Sequence, residues 1–378
     1  MSKIEELLSE RHDDRIDYDE LIKEYPWIVE KNRKCVLSPD SDGLLCGLFM
    51  AKVLGWKIVG FYDDKVAVIN KKYIHDDVVF LDGEIYRKDI KSFGHHMVSY
   101  NKKNLHHSWE NFQTCIQPNN MRNYDGQHDF RLKYPLATIH MLVSIVAYKH
   151  KGIKIPQTGI PPLYFTDGVF NVMFSYPENV LNWLKYLRID EDWNPLKDIF
   201  ESKTYSVHEL MVKMNEFFRQ RDSITDGKER GDRLKISNKD GSPYNILGID
   251  EGKEVHIEPD AVSRAKVFMN LVGSLTTWDF NEKDWECWSE LKYYKFTKYD
   301  FKGDSKRVNN NNFFEMLDKR PLSWAMTSGD NIEYTLEEPD FFEINMTLYD
   351  YFKEYNRRNP DNPISEKEME RIRNLHKK

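Results

Sequence analysis

Between positions 34 and 81 the chain alternates apolar strand, helix and apolar strand, and this alternation limits the possible folds more than any other feature. Residues 34–37 (KCVL) form a short apolar run stopped by Ser38-Pro39-Asp40. Residues 44–54 have the composition of an apolar helix, and Gly55 stands where a left-handed residue would close it. Apolar runs return at 57–62 (KIVGFY) and 78–81 (VVFL). Strands joined through a helix lie parallel, with helices covering the sheet. The expected fold class is therefore α/β, a parallel sheet flanked by helices. Ligands of such sheets sit beyond the carboxyl ends of the strands. Asp40 and Asp42 fall there after the first strand, Asp82 falls there after the 78–81 strand, and His95 and His96 follow.

The rest of the chain divides by composition. Residues 1–33 read as a helical N-terminal extension, with Ile4, Leu7 and Leu8 on one face. The α/β domain is expected over 34–190. It contains a polar stretch at 99–134, an apolar helix within 134–149 and another at 178–187. Residues 191–256 read as a helical connector and turn-rich linker, with Asp-Gly and Glu-Gly turns from 226 onward. A smaller, divergent α+β C-terminal domain is expected over 257–378. Its Trp278, Trp285, Trp288, Tyr293 and Tyr294 lie among lysines, a pattern suited either to a core or to stacking of single-stranded bases.

A net charge of −7 excludes a general polycation, so any nucleic-acid surface has to be local or work through metal ions. Four scattered cysteines form no CxxC pair, which suits reduced thiols. No apolar run approaches the roughly 18 residues of a membrane span, and the acidic N-terminus is unlike a secretory signal. A cytoplasmic protein without membrane attachment is expected.

Asp40 and Asp42 flank Ser41 in a strand-to-helix turn, and such a turn can aim two carboxylates at one point. Alone, Asp-x-Asp-Gly is most often a surface turn. With further carboxylates and an imidazole it suits a hard divalent cation, Mg²⁺ or Mn²⁺, and the imidazole favours Mn²⁺.

In their order along the chain these segments resemble the DHH phosphoesterase superfamily, in particular its RecJ-like branch. The family's Asp-x-Asp-Gly motif after a strand is similar to VLSPDSDGLLCGLFMAKVLG. Its second motif, a strand ending in Asp, is similar to VVFLDGEI with Asp82. Its Asp-His-His is similar to Gly94-His95-His96, and an Asn-Pro-Asn-like segment to Gln117-Pro118-Asn119. YPLATIHMLVSI resembles the family's Tyr-Pro-led helix. A fourth motif, again a strand ending in Asp, resembles Leu163-Tyr164-Phe165-Thr166-Asp167.

The resemblance covers about half the chain. It implies one or two Mn²⁺ or Mg²⁺ ions, one held by Asp42, Asp82, His95 and Asp167, the other sharing Asp82 and using Asp40. It further implies His96 beside the transferring phosphoryl group and Asn119 near substrate. The chain departs from the family at Val36, where the family has a histidine ligand, and at Gly94, where it has an aspartate. His106, His107, His128 and His140 are the candidates to replace the lost imidazole. The family's Gly-Gly-His segment is absent.

The function implied is a metal-dependent phosphodiester hydrolase, a RecJ-like exonuclease or an oligonucleotide phosphodiesterase. Its substrates would be single-stranded nucleic acid, short oligonucleotides or cyclic dinucleotides. Two alternatives stand beside it. One is a non-catalytic DHH-type scaffold or nucleic-acid-binding module. The other is a PP-loop-like ATP-using enzyme, whose phosphate loop LSPDSDG also resembles, with Pro39 and Asp40 in place of its glycines. Oligomeric state is not legible in the sequence.

Overall fold

In the computed structural model, which describes residues 14–225, 230–249, 254–301 and 307–337 with 356, 365 and 367 besides, the strands run in the following order. They are β1 (Lys34–Leu37), β2 (Lys57–Tyr62), β3 (Val66–Asn70), β4 (Val78–Leu81), β5 (Lys91–Phe93) and β6 (Cys115–Ile116). After a small ribbon of β7 (Ile246–Leu247) and β8 (His256–Ile257) come β9 (Leu291–Asp300), β10 (Ser323–Ser328) and β11 (Asn331–Glu337). The helices that cover the sheet and build the site are α1 (Ser41–Leu54), α2 (Thr138–Lys149), α3 (Ile160–Phe165), α4 (Pro259–Thr276) and α5 (Asn310–Asp318). The expected lead-in helix at 1–13 and nearly all of the chain beyond 337 lie outside the described residues.

Among the described residues, nine strands form one sheet in the order β10-β11-β9-β3-β2-β1-β4-β5-β6. From β2 through β6 across β1 the pairings are parallel, as the alternation predicts. β1 is the switch point, because the chain leaves it to β2 on one side and later adds β4 on the other. The crevice such a reversal opens is a ligand site.

The sheet is not parallel throughout, which corrects the all-parallel expectation. β3 turns back antiparallel to β2 through Asp63-Asp64-Lys65, with Asp64 at φ 66° and the Asp63 N–H donating to the Val66 carbonyl at 3.1 Å. Aspartate tolerates this left-handed conformation, and a three-residue connection leaves no room for a crossover helix. β9 then pairs antiparallel with β3, and β10 and β11 extend the same edge. Residues 291–337 thus place their strands, β9 to β11, on the common sheet.

Alternation along β1 sends Cys35 and Leu37 to one face and Val36 to the other. The first face is covered by α1, α2 and α4, whose Leu45, Phe49, Leu142 and Phe268 are buried against it. Val36 joins Val59, Phe80 and Tyr62 in the opposite core. Trp278, Trp285 and Tyr294 are buried as well, at 4% exposure or less. Those three rings are therefore core, the first of the two readings, whereas Tyr299 at the far end of the segment is exposed.

Candidate metal centre

Three adjacent parallel strands deliver the polar groups. Asp40 and Asp42 follow β1, Asp82 follows β4, and His95 and His96 follow β5. At the turn after β1, a Cβ on Gly43 would lie 2.2 Å from the Ser38 carbonyl oxygen, so only glycine permits this approach. Asp40 caps α1 by accepting from the Gly43 N–H at 3.3 Å. Gly55 closes that helix at φ 67°, as the sequence predicts.

Asp167 arrives differently from the expectation. Leu163-Tyr164-Phe165 is not a strand. It ends α3, a helix begun by Ile160-Pro161-Pro162, and Asp167 lies in the following turn at φ 51°. Proline fixes φ at a helical value and has no N–H to give a sheet ladder, which favours a first helical turn over a strand. Ser41 and Thr166 hydroxyls, 3.2 Å apart, fasten this turn to the start of α1.

Asp42, Asp82, His95 and Asp167 converge, each with one donor atom within 4.8 Å of the others'. Asp42 is fully buried and accepts from the N–H groups of Thr138 at 2.7 Å and Ile139 at 3.0 Å. It thereby caps α2, whose preceding Ala137 has no capping side chain. The Thr138 hydroxyl donates to Asp82 at 2.8 Å, so its oxygen is left to accept from His95 Nδ1–H at 2.9 Å. That fixes the tautomer and leaves the Nε2 lone pair facing Asp167, at 3.4 Å. Asn119 is buried rather than placed against substrate. Its amide donates to the His95 carbonyl at 3.1 Å and accepts from the Tyr134 N–H at 2.7 Å.

Asp82 and Asp167 both hold positive φ, at 55° and 51°. Aspartate in this region carries modest strain, of the kind found where function dictates geometry. Ser38 places its hydroxyl 2.8 Å from Asp40 and 2.5 Å from Asp82, tying the second pair of carboxylates together.

His96 lies at the mouth, its side chain 46% exposed and its Nδ1 3.6 Å from Glu84. Glu84 was not singled out in the sequence, yet its carboxylate fills the space beside Gly94. A Cβ on Gly94 would fall 2.7 Å from the Glu84 carboxyl carbon. The Glu84 carboxylate accepts from the His96 N–H, and from the Met97 N–H at 2.9 Å. Glycine at 94 and glutamate at 84 are one steric fact, and this spacing carries no signal in the sequence beyond Glu84 lying two residues after Asp82.

Val36 is core, as alternation along β1 requires, and the four candidate histidines do not replace it. His106 pairs with Asp318 at 3.1 Å, with the His107 ring tilted against it, and His128 pairs with Asp125 at 2.8 Å. His140, in the first turn of α2, packs against Phe200. None of the four joins the group of Asp42, Asp82, His95 and Asp167.

The electrostatics suit a cation. Burial raises the Asp42 and Asp82 carboxyls well above their usual range, and neighbouring carboxylates add to it. Burial and Asp40 push Asp167 up to about 6. Burial, with the charge of His96, lowers His95 so that it stays neutral and able to ligate. His96 is pulled down by desolvation, but Glu84, Asp82 and Asp167 outweigh this and raise it. Among the described residues no Lys or Arg pairs with the four aspartates, whose only ion-pair contacts are to His95. Three crowded carboxylates and a neutral imidazole could hold a metal ion.

The cluster opens on a cleft of about 550 Å³ lined by Asp40, Asp82, Glu84 and His96. No helix among the described residues is long and apolar enough to cross a membrane. Searches against protein-family models, curated proteins and solved structures return no match to this chain.

Proposed function

We propose that the chain is a Mn²⁺- or Mg²⁺-dependent phosphodiester hydrolase of the DHH type, acting on single-stranded nucleic acid or short oligonucleotides. The observation that carries this reading is the convergence of Asp42, Asp82, His95 and Asp167 at the carboxyl edge of the sheet, beside a cleft that Asp82 lines. A divalent ion held there supplies Lewis-acid activation of water and neutralises phosphate charge. The protein's own groups do the rest. Thr138 and Asp82 orient His95, and Asp42 ties the cluster to the α2 N-terminus. His96, protonated and exposed beside Glu84, is placed to donate a proton to the oxygen of a departing group.

The PP-loop alternative finds less support, because the Asp40 carboxylate already occupies the N-terminus of α1, where a phosphate would have to sit. Retention of all four ligands counts against a scaffold. The test is hydrolysis of a single-stranded oligonucleotide with Mn²⁺, with EDTA and in two variants. Asp82→Ala and His95→Ala are expected to lose at least about a hundredfold, as removal of a ligand from a metal site does. Undiminished turnover in both purified variants would refute the reading.

A further inference from the structure

The cleft has a second wall, and it comes from the segment that looks like a linker in the sequence. Residues 233–236 form no regular element, yet they alternate: Leu234 and Ile236 are buried, Arg233 is exposed and Lys235 half-buried. Period-two alternation sends the two cations to the face opposite the two apolar anchors. The anchor is firm. The Leu234 N–H donates to the Pro39 carbonyl at 2.7 Å, one residue before Asp40, and the Ser237 hydroxyl donates to Asp63 at 2.5 Å. Arg233, Lys235 and the exposed Lys239 therefore line the same cleft as Asp40, Asp82 and His96.

The charges on that wall differ in availability. Lys298 is committed to Asp64 and Glu333, and Lys65 donates to the Asn238 carbonyl at 2.9 Å. Arg233 and Lys239 form no ion pair among the described residues, and Lys235 lies over the Tyr244 ring at 3.9 Å. Arg233 lines the cleft together with Asp40 and Asp82, so the wall faces the edge of the acidic cluster. The aromatic residues of the lining offer no stacking face. Tyr62 and Trp324 are 2% and 3% exposed, and their polar atoms bond to Ser323 and to the Val98 carbonyl. What the wall offers is positive charge rather than a stacking face. A cavity of about 550 Å³ takes a small ligand of a few linked groups.

Resting on the phosphoesterase reading, we propose that Arg233, Lys235 and Lys239 form a subsite for a phosphate adjacent to the scissile diester, so that the substrate is a short oligonucleotide with at least two phosphates. The scissile group faces the aspartates, and its neighbour reaches across the cleft to the cationic wall. Exposed lysine contacts of this kind weaken with salt, so the preference for the second phosphate falls as ionic strength rises.

Binding and turnover are measured separately on the full chain. In Ca²⁺ buffer, calorimetry compares the dinucleotide ApA, which has one phosphate, with pApA and ApApA, which have two. At least one two-phosphate ligand is expected to bind about tenfold tighter than ApA, the value of one charged hydrogen-bonded contact. A gain confined to pApA identifies a terminal monoester as the group recognised, and a gain shared with ApApA identifies the next diester. In the double variant Arg233→Ala/Lys239→Ala the advantage is expected to fall below about threefold, both side chains being exposed and outside the core. Equal affinities for all three, no binding at all, or an advantage that survives the double variant overturns the subsite. Mn²⁺-dependent hydrolysis of bis(p-nitrophenyl) phosphate, which has no second phosphate, checks the chemistry independently. A protein that keeps the binding preference and leaves this ester intact retains the subsite and loses the hydrolase reading.

Discussion

At the scale of single residues, the exchange between positions 84 and 94 is the most informative departure from the resembled pattern. A side chain at 94 has no space while Glu84 fills it, and Glu84 has no access to the His96 and Met97 N–H groups once a side chain stands at 94. The two positions are therefore expected to behave as one. Glu84→Ala leaves two backbone donors unsatisfied and His96 unsupported, and lowers Mn²⁺ affinity roughly 10–100-fold, as loss of an outer support to a metal site does. Gly94→Asp alone is expected to be as damaging for steric reasons. Glu84→Ala/Gly94→Asp removes the clash and returns a carboxylate, so it recovers most of the affinity. Titration followed by the Mn²⁺ electron paramagnetic resonance signal distinguishes the cases, and a double variant no better than either single one rejects the exchange. From sequence, Gly94 reads only as a loss. Its compensation lies ten residues away on the loop between β4 and β5, and no local pattern announces it.

At the scale of elements, α2 holds the cluster from behind, and it carries a cost of its own. Its His140 is buried, which lowers the imidazole to about 4, against a weaker upward pull from the backbone of Ala137 and Leu163. The sign follows from proton binding. Between about pH 6.5 and 4 the unfolded chain takes up a proton that the folded one refuses, so stability falls as pH falls through that window. His140→Leu is expected to remove about 2 kcal/mol of the stability difference between pH 7 and pH 5. Guanidinium unfolding of both proteins at the two pH values reads it, and contributions shared by both proteins cancel. An acid sensitivity identical in both proteins would show that His140 is not its source. Elements were largely legible in advance: β1, α1, β2 and β4 follow directly from apolar runs and their punctuation. α3 was not, because three apolar residues before an aspartate suit a strand as well as a helix, and only the two prolines tip the choice.

At the scale of the whole molecule, the sheet assembles a site that is unfavourable without a cation. Burial and mutual repulsion raise Asp42, Asp82 and Asp167, so the folded metal-free protein holds protons that the unfolded chain releases above about pH 4. Its stability from these groups is greatest at low pH and is lost as pH rises through the raised values, near 6 for Asp167. Mn²⁺ is accordingly expected to raise the melting temperature by several degrees at pH 7.5 and by much less at pH 5.5, where protons compete for the same oxygens. Asp82→Ala should abolish the shift at both, and an equal shift in that variant places the ion elsewhere.

By itself the sequence determined the strand–helix–strand frame and the carboxylates and imidazoles at its strand ends, because the period of apolar residues and the glycine, proline and aspartate stops are local properties of the chain. Tertiary structure alone decided that Thr138 orients His95, that Glu84 occupies the place of a side chain at 94, and that residues 233–239 line the cleft with positive charge. Those are contacts between segments 10 to 200 residues apart, and they exist only once the sheet has brought its strand ends to one edge.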